Sequence, residues 1–194
     1  MTTTVAETTL LSIPWLTSFT EATTVARAQK KPIMVDVRQE DCGGCDKLED
    51  ETFADPRVVE EIVTRFVPVK LDLFADREFT RANQVFWTPT ILIADRSGKV
   101  RYTSPNFLPA EEFLDILDIG EALVQMRWRG YDEAIARLNA LRDRTPDGPL
   151  TAEAIYWRGI SAYFRDGNSS ASAHVEWDEL LKRFPESIWA KRIP

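Results

Sequence analysis

The sequence predicts an α/β domain, a mixed sheet covered by helices on both faces, followed by an all-α region of helical hairpins. Three observations carry this expectation. Two β-rich runs, residues 32–37 and 67–73, are each preceded by a helical pattern, which calls for crossover connections between them. Residues 88–104, "TPTILIADRSGKVRYTS", fold back through the turn Asp95-Arg96-Ser97-Gly98 and add a terminal hairpin. Beyond Pro109 the chain offers no further strand candidate.

Each element has a local reason. Trp15, Phe19, Ala22 and Ala26 recur at helical spacing, giving an amphipathic first helix that ends near "QKKP". "PIMVDV" is apolar on both faces, as a buried central strand is. A helical pattern resumes over 45–48. "ADPRVVEEIVTRF" has Asp55 as N-cap and Pro56 at the first helical position, with Val59, Ile62, Val63 and Phe66 facing inward. "VPVKLDL" alternates Val67, Val69, Leu71 and Leu73 with other residues and reads as a strand. A short polar helix over 76–84 precedes the hairpin. Three segments follow from this reading: a polar tail over 1–11, an α/β domain over 12–119 and a helical domain over 120–194, with the helix 111–127 shared between the last two.

The helical part carries a faint repeat. An offset of 39 residues aligns Gly120 with Gly159, Ala134 with Ala173, Leu141 with Leu180 and Pro146 with Pro185. Each copy is a helical hairpin, and glycines at matching places predict close helix packing, because glycine inside a helix costs up to about 1 kcal/mol relative to alanine. Trp128, Trp157 and Trp177 are expected in the core of this part.

Composition narrows the function. The 194 residues include 44% hydrophobic ones, enough for a sizeable core. A net charge of -7 argues against sequence-independent binding to nucleic acid or to an anionic membrane surface. No apolar run approaches the roughly 20 residues of a membrane span, and the start lacks the basic and apolar regions of a signal peptide, so a cytoplasmic location is expected.

In such a compartment a purely structural disulfide is uncommon, which makes the placing of the two cysteines informative. Both lie in "EDCGGCD", residues 40–46. Separated by Gly43 and Gly44, the sulfurs can meet at the first turn of a helix and form and break a bridge with little backbone motion. The helix terminus favours a negative sulfur at Cys42, lowering its pKa below about 8.5 and making it the attacking thiolate. Cys45, one turn deeper, resolves the mixed disulfide. A zinc site is disfavoured because it needs four ligands, whereas there is no third cysteine and the sole histidine, His174, lies far along the chain. No cofactor is called for.

From Trp15 to about Leu117 these features resemble the thioredoxin superfamily. "VDV" places Asp36 six residues before Cys42, "VKLD" holds Lys70, and "WTPT" places Pro89 after Thr88. The resemblance implies that Asp36 is the buried carboxylate assisting proton transfer to and from the resolving cysteine, with Lys70 supporting it. It implies also that Pro89 is a cis-proline lying against the disulfide. Thr88 and Pro89, together with Trp87, Gly43 and Gly44, would then shape the substrate edge. The Trp and Pro of the usual Trp-Cys-Gly-Pro-Cys motif are replaced here by Asp41 and Gly44, and six acids surround the pair. "YWRGISAYFRDG" followed by "WDELLKRFPES" resembles tetratricopeptide repeats. Implied partners are protein disulfide substrates, a recycling reductant such as a thioredoxin reductase-like system, and a protein docked on the helical part. The competing expectation is an adaptor that keeps the thioredoxin shape and whose cysteines serve as a redox switch or have no catalytic use.

Overall fold

A computed structural model describes residues 12–194, so the tail expected over 1–11 lies outside the described residues. The elements run α1 (Phe19–Gln29), β1 (Ile33–Arg38), α2 (Gly43–Lys47), a π-helical turn (Leu48–Thr52), α3 (Pro56–Arg65), β2 (Val67–Asp72), α4 (Arg77–Ala82), β3 (Thr90–Ala94) and β4 (Val100–Pro105). Helices α5 (Ala110–Arg127), α6 (Tyr131–Arg144), α7 (Thr151–Arg165) and α8 (Ser170–Arg183) complete the chain, with a 3₁₀ turn at Ala190–Arg192. The sheet has the order β2-β1-β3-β4; β1 and β2 are parallel, and the other two pairings are antiparallel.

Strand alternation sorts β1 onto two cores. Ile33, Val35 and Val37 pack with Ala22 and Ala26 of α1. Met34 points the other way, onto Leu48, Ile62 and Phe113. Asp36 shares the face of Met34, and its register partners are Lys70 on β2 and Ile91 on β3. A carboxyl group is thereby delivered to the core face that also holds the cysteine helix.

Three expectations need correction. Trp15 does not belong to the first helix, which begins at Phe19 after Ser18 caps it. Leu16 instead pairs with Val69, and its N–H donates to the Pro68 carbonyl at 3.1 Å. The physical reason is the free edge of β2, whose polar groups need partners. Along α3 the buried residues are Val58, Val59 and Ile62, with Val63 only half-buried. Trp128 is 45% exposed rather than buried, its ring lying beneath the Arg96 guanidinium at 4.4 Å.

The expected boundary at residue 119 or 120 falls inside α5, which packs on β3, β4 and α3 with one side and on α6 and α7 with another. Gly120 lets it lie directly on the sheet: a Cβ there would sit 2.4 Å from Ile93 Cγ1. Gly159 does the same for α7 and α8, where a Cβ would come within 2.2 Å of the Trp177 indole nitrogen. That indole is fixed by donating to the Tyr156 carbonyl at 3.0 Å, so it cannot swing away freely. Gly159→Ala is therefore expected to lower stability by about 1–3 kcal/mol through overpacking, although alanine is the better helix former. Urea unfolding followed by circular dichroism measures it.

Candidate active site

Cys42 follows the short turn Gln39-Glu40-Asp41 after β1 and caps the N-terminus of α2 in extended backbone geometry. Its carbonyl accepts from the N–H groups of Cys45 and Asp46 at 2.9 and 3.0 Å, closing the first turn. Its sulfur accepts from the Cys45 N–H at 3.2 Å and from the Thr88 hydroxyl at 3.3 Å. Two donors thus converge on one sulfur, which favours its anionic state. The two cysteines form a disulfide, Cα to Cα 5.2 Å, and both are largely buried, Cys45 more so at 2% exposure against 7%.

The Thr88–Pro89 peptide bond is cis. The Pro89 ring lies against the cysteine turn so closely that a Cβ on Gly44 would meet Pro89 Cδ at 2.8 Å, whereas one on Gly43 would meet nothing. Gly44, where the superfamily motif has proline, accordingly lets the turn approach the Thr88–Pro89 segment. Trp87 and Phe86 just before it are 60% and 87% exposed, and Phe74, in the segment after β2, is 60% exposed. Exposed apolar surface therefore lies next to the cis-proline in sequence, while Glu40, Asp41 and Asp46, which flank the cysteines, are exposed as well.

Asp36 is buried at 2% exposure, and its Oδ1 has no hydrogen-bond partner. Burial is the main reason its pKa is raised to about 6; Lys70 and Arg38 pull it down and Glu49 pushes it up. Lys70 is ion-paired to Glu49 and lies over the Trp15 ring at 4.4 Å. Arg38 reaches Glu49 at 3.3 Å and Asp46 at 3.7 Å, and Lys47 reaches Glu51 at 3.9 Å. Several of the surrounding acids are thus paired, so the expected negative ring is weaker than the sequence suggests.

Arg38 is an addition to the site, and Glu49, expected only as one of the six surrounding acids, is the partner of both Arg38 and Lys70. A signal existed for Arg38 and for Glu49: Arg38 follows Asp36 by two residues on the same strand, and Glu49 follows Cys45 by four on the continuing helix. The residues singled out in the sequence come together as two groups. Cys42, Cys45, Gly44, Thr88 and Pro89 meet at the surface end of β1, and Asp36 and Lys70 lie beneath on adjacent strands. Among the described residues no group of three or more His, Cys, Asp or Glu could hold a metal ion.

The family profile described as the thioredoxin-like domain matches residues 19–120. The chain belongs to the thioredoxin-like family. A putative disulphide-isomerase from Bacteroides thetaiotaomicron is similar to it in solved structure, with 29% identity and a TM-score of 0.52, over 57% of this chain and 93% of the other. A thioredoxin from Thermus thermophilus has 24% identity and a TM-score of 0.51 over 59% and 89% of the two chains, a likeness of fold. The UBX domain-containing protein 2 of Schizosaccharomyces pombe is 28% identical over 165 residues, 82% of this chain. This thioredoxin-like chain spans only 37% of that relative's length. No described helix of this thioredoxin-like protein is long and apolar enough to cross a membrane.

Proposed function

We propose that this protein is a thiol–disulfide oxidoreductase acting on protein substrates through Cys42 and Cys45. The observation that carries the reading is the bridge itself, with its Cys42 sulfur held by the Thr88 hydroxyl and the Cys45 N–H beside cis-Pro89. The likeness to a putative disulphide-isomerase supports the same chemistry.

In the reducing direction the Cys42 thiolate attacks one sulfur of a substrate disulfide and expels the other as a thiolate. A Cys42–substrate mixed disulfide results. Cys45 then loses its proton and attacks Cys42 Sγ, releasing the second substrate thiolate and closing the Cys42–Cys45 bridge. Two electrons pass to the substrate, and a reductant protein returns them. Asp36, whose pKa near 6 lets it exchange a proton near neutral pH, assists the Cys45 step, and Lys70 tunes it. Thr88, Pro89, Trp87, Gly43 and Gly44 form the substrate edge. A cytoplasmic setting and a partner on the tetratricopeptide-like helices complete the proposal.

Cys45→Ser tests it. The variant should stall at the mixed disulfide, so that non-reducing electrophoresis shows covalent adducts that dithiothreitol dissolves and that Cys42→Ser abolishes. Their absence would count against the oxidoreductase reading. The adaptor reading draws on one observation, that the similarity to a UBX domain-containing protein runs well past the matched thioredoxin-like stretch. Full activity in cells of a Cys42→Ser, Cys45→Ser double variant would favour it.

A further inference from the structure

At the sheet end remote from the disulfide, Trp128 lines two small hollows, and Arg127, whose guanidinium lies 5.8 Å from the Trp128 ring, links them to a third. One, of about 460 Å³ between β4, α5, the start of α6 and α7, is lined by Arg101, Arg127 and Arg129. The other two share Lys30, Arg96 and Trp128 and add Arg27 and Lys31. No Asp or Glu lines any of the three, on a chain whose net charge is -7. Arg101 is already held by Asp95 at 2.7 Å behind the wall. Arg27, Lys30, Lys31, Arg96, Arg127 and Arg129 form no ion pair among the described residues, although most other cations of the chain do.

Such segregation is costly without an anion. Like charges gathered on one face repel one another, and ordinary surfaces intersperse the two signs. Arg96 is stacked on the half-exposed Trp128 ring, and among the described residues no carboxylate pairs with its guanidinium. Beside the cations, the larger hollow offers an apolar floor of Met126, Trp157 and Phe164. We propose that this surface binds a short acidic segment of a partner protein, its carboxylates on Arg96, Arg127 and Arg129 and one apolar side chain in the hollow.

A peptide fits better than an extended polyanion. Nucleic acid or an anionic bilayer would run beyond the patch onto exposed acids such as Asp132 and Glu133 at the start of α6, and the net charge opposes both at long range. Arginine is suited to carboxylate because its planar fork can make two parallel hydrogen bonds. The surface is separate from the cysteine site: Lys30 and Lys31 precede β1 and Arg96 follows β3, whereas Cys42 lies beyond the other end of β1. The proposal therefore stands independently of the redox reading.

The test is fluorescence anisotropy with the full chain and a fluorescein-labelled peptide of Asp and Glu flanking one Leu. Binding is expected at low salt, weakening as salt screens it over a Debye length of about 10 Å at 0.1 M. An Arg127→Glu, Arg129→Glu variant should bind at least about tenfold more weakly and Arg96→Gln several-fold more weakly, whereas Cys42→Ser, Cys45→Ser should bind as wild type. Circular dichroism confirms that each variant folds. The proposal is overturned if the peptide does not bind, if a charge-matched Lys peptide binds equally, if charge reversal changes nothing, or if single-stranded oligonucleotide binds more tightly. It is also overturned if sedimentation shows a dimer that the charge-reversed variant dissolves, because a second copy would then cover the patch.

Discussion

Asp36→Asn is expected to stabilise the oxidised protein by about 2–3 kcal/mol at pH 7 and to leave its stability almost unchanged below pH 4. The carboxyl titrates near 3.8 when unfolded and at about 6 in the fold, where burial penalises its charge. Between those values the native state binds the proton that the unfolded chain has released, so wild-type stability falls as pH rises, and above about 6 the full cost is present. Asparagine keeps the shape and carries no charge at any pH. Guanidinium unfolding of both proteins from pH 3.5 to 8 gives the profile, and a constant difference across that range would contradict it. If Asp36 serves proton transfer as proposed, the more stable variant should also resolve mixed disulfides more slowly, a trade of activity for stability.

The second large effect lies away from the cysteines. Asp118 on α5 is 1% exposed and accepts from Arg65 of α3 at 2.8 Å and from Arg144 of α6 at 2.7 Å. Arg65 is completed by Glu121 at 2.7 Å, and Arg144 by Asp115 at 2.6 Å. Through these pairs one helix ties α3, packed on the thioredoxin-like sheet, to the helical hairpins. Asp118→Ala leaves two guanidinium groups short of a buried partner and should cost about 3–5 kcal/mol. The loss should appear as one cooperative transition at lower denaturant when fluorescence and circular dichroism are followed together. Separate transitions for the two regions, or a loss below about 1 kcal/mol, would contradict the role given to this network.

Much of this was legible in the chain. Strand and helix order follows from period and turn chemistry, and "DCGGC" with "VDV" and "WTPT" marks the cysteine site in the sequence itself. Gly120 and Gly159, aligned by the repeat, both prove to be close-approach positions. What escaped was carried by contacts between distant residues. Trp15 had helical spacing, yet hydrogen bonding to the open edge of β2 claims its neighbour Leu16. Asp115, Asp118 and Glu121 look like solvated helix positions until Arg65 and Arg144 arrive from 26 to 56 residues away to pair with them. The cationic surface draws on residues 27–31, 96–101 and 127–129, so no single stretch betrays it.

The central claim is that Cys42 is the reactive member of a reversibly cycling pair. Its most direct test is alkylation of the reduced protein by iodoacetamide as a function of pH, with the labelled cysteine identified by peptide mapping, followed by reoxidation in glutathione buffers. The account predicts that label enters Cys42 first, with a midpoint below the ordinary thiol value of about 8.5, and that the Cys42–Cys45 bridge re-forms with a measurable potential. Label appearing first on Cys45, or a pair that neither reacts near neutral pH nor closes again in glutathione, would contradict it.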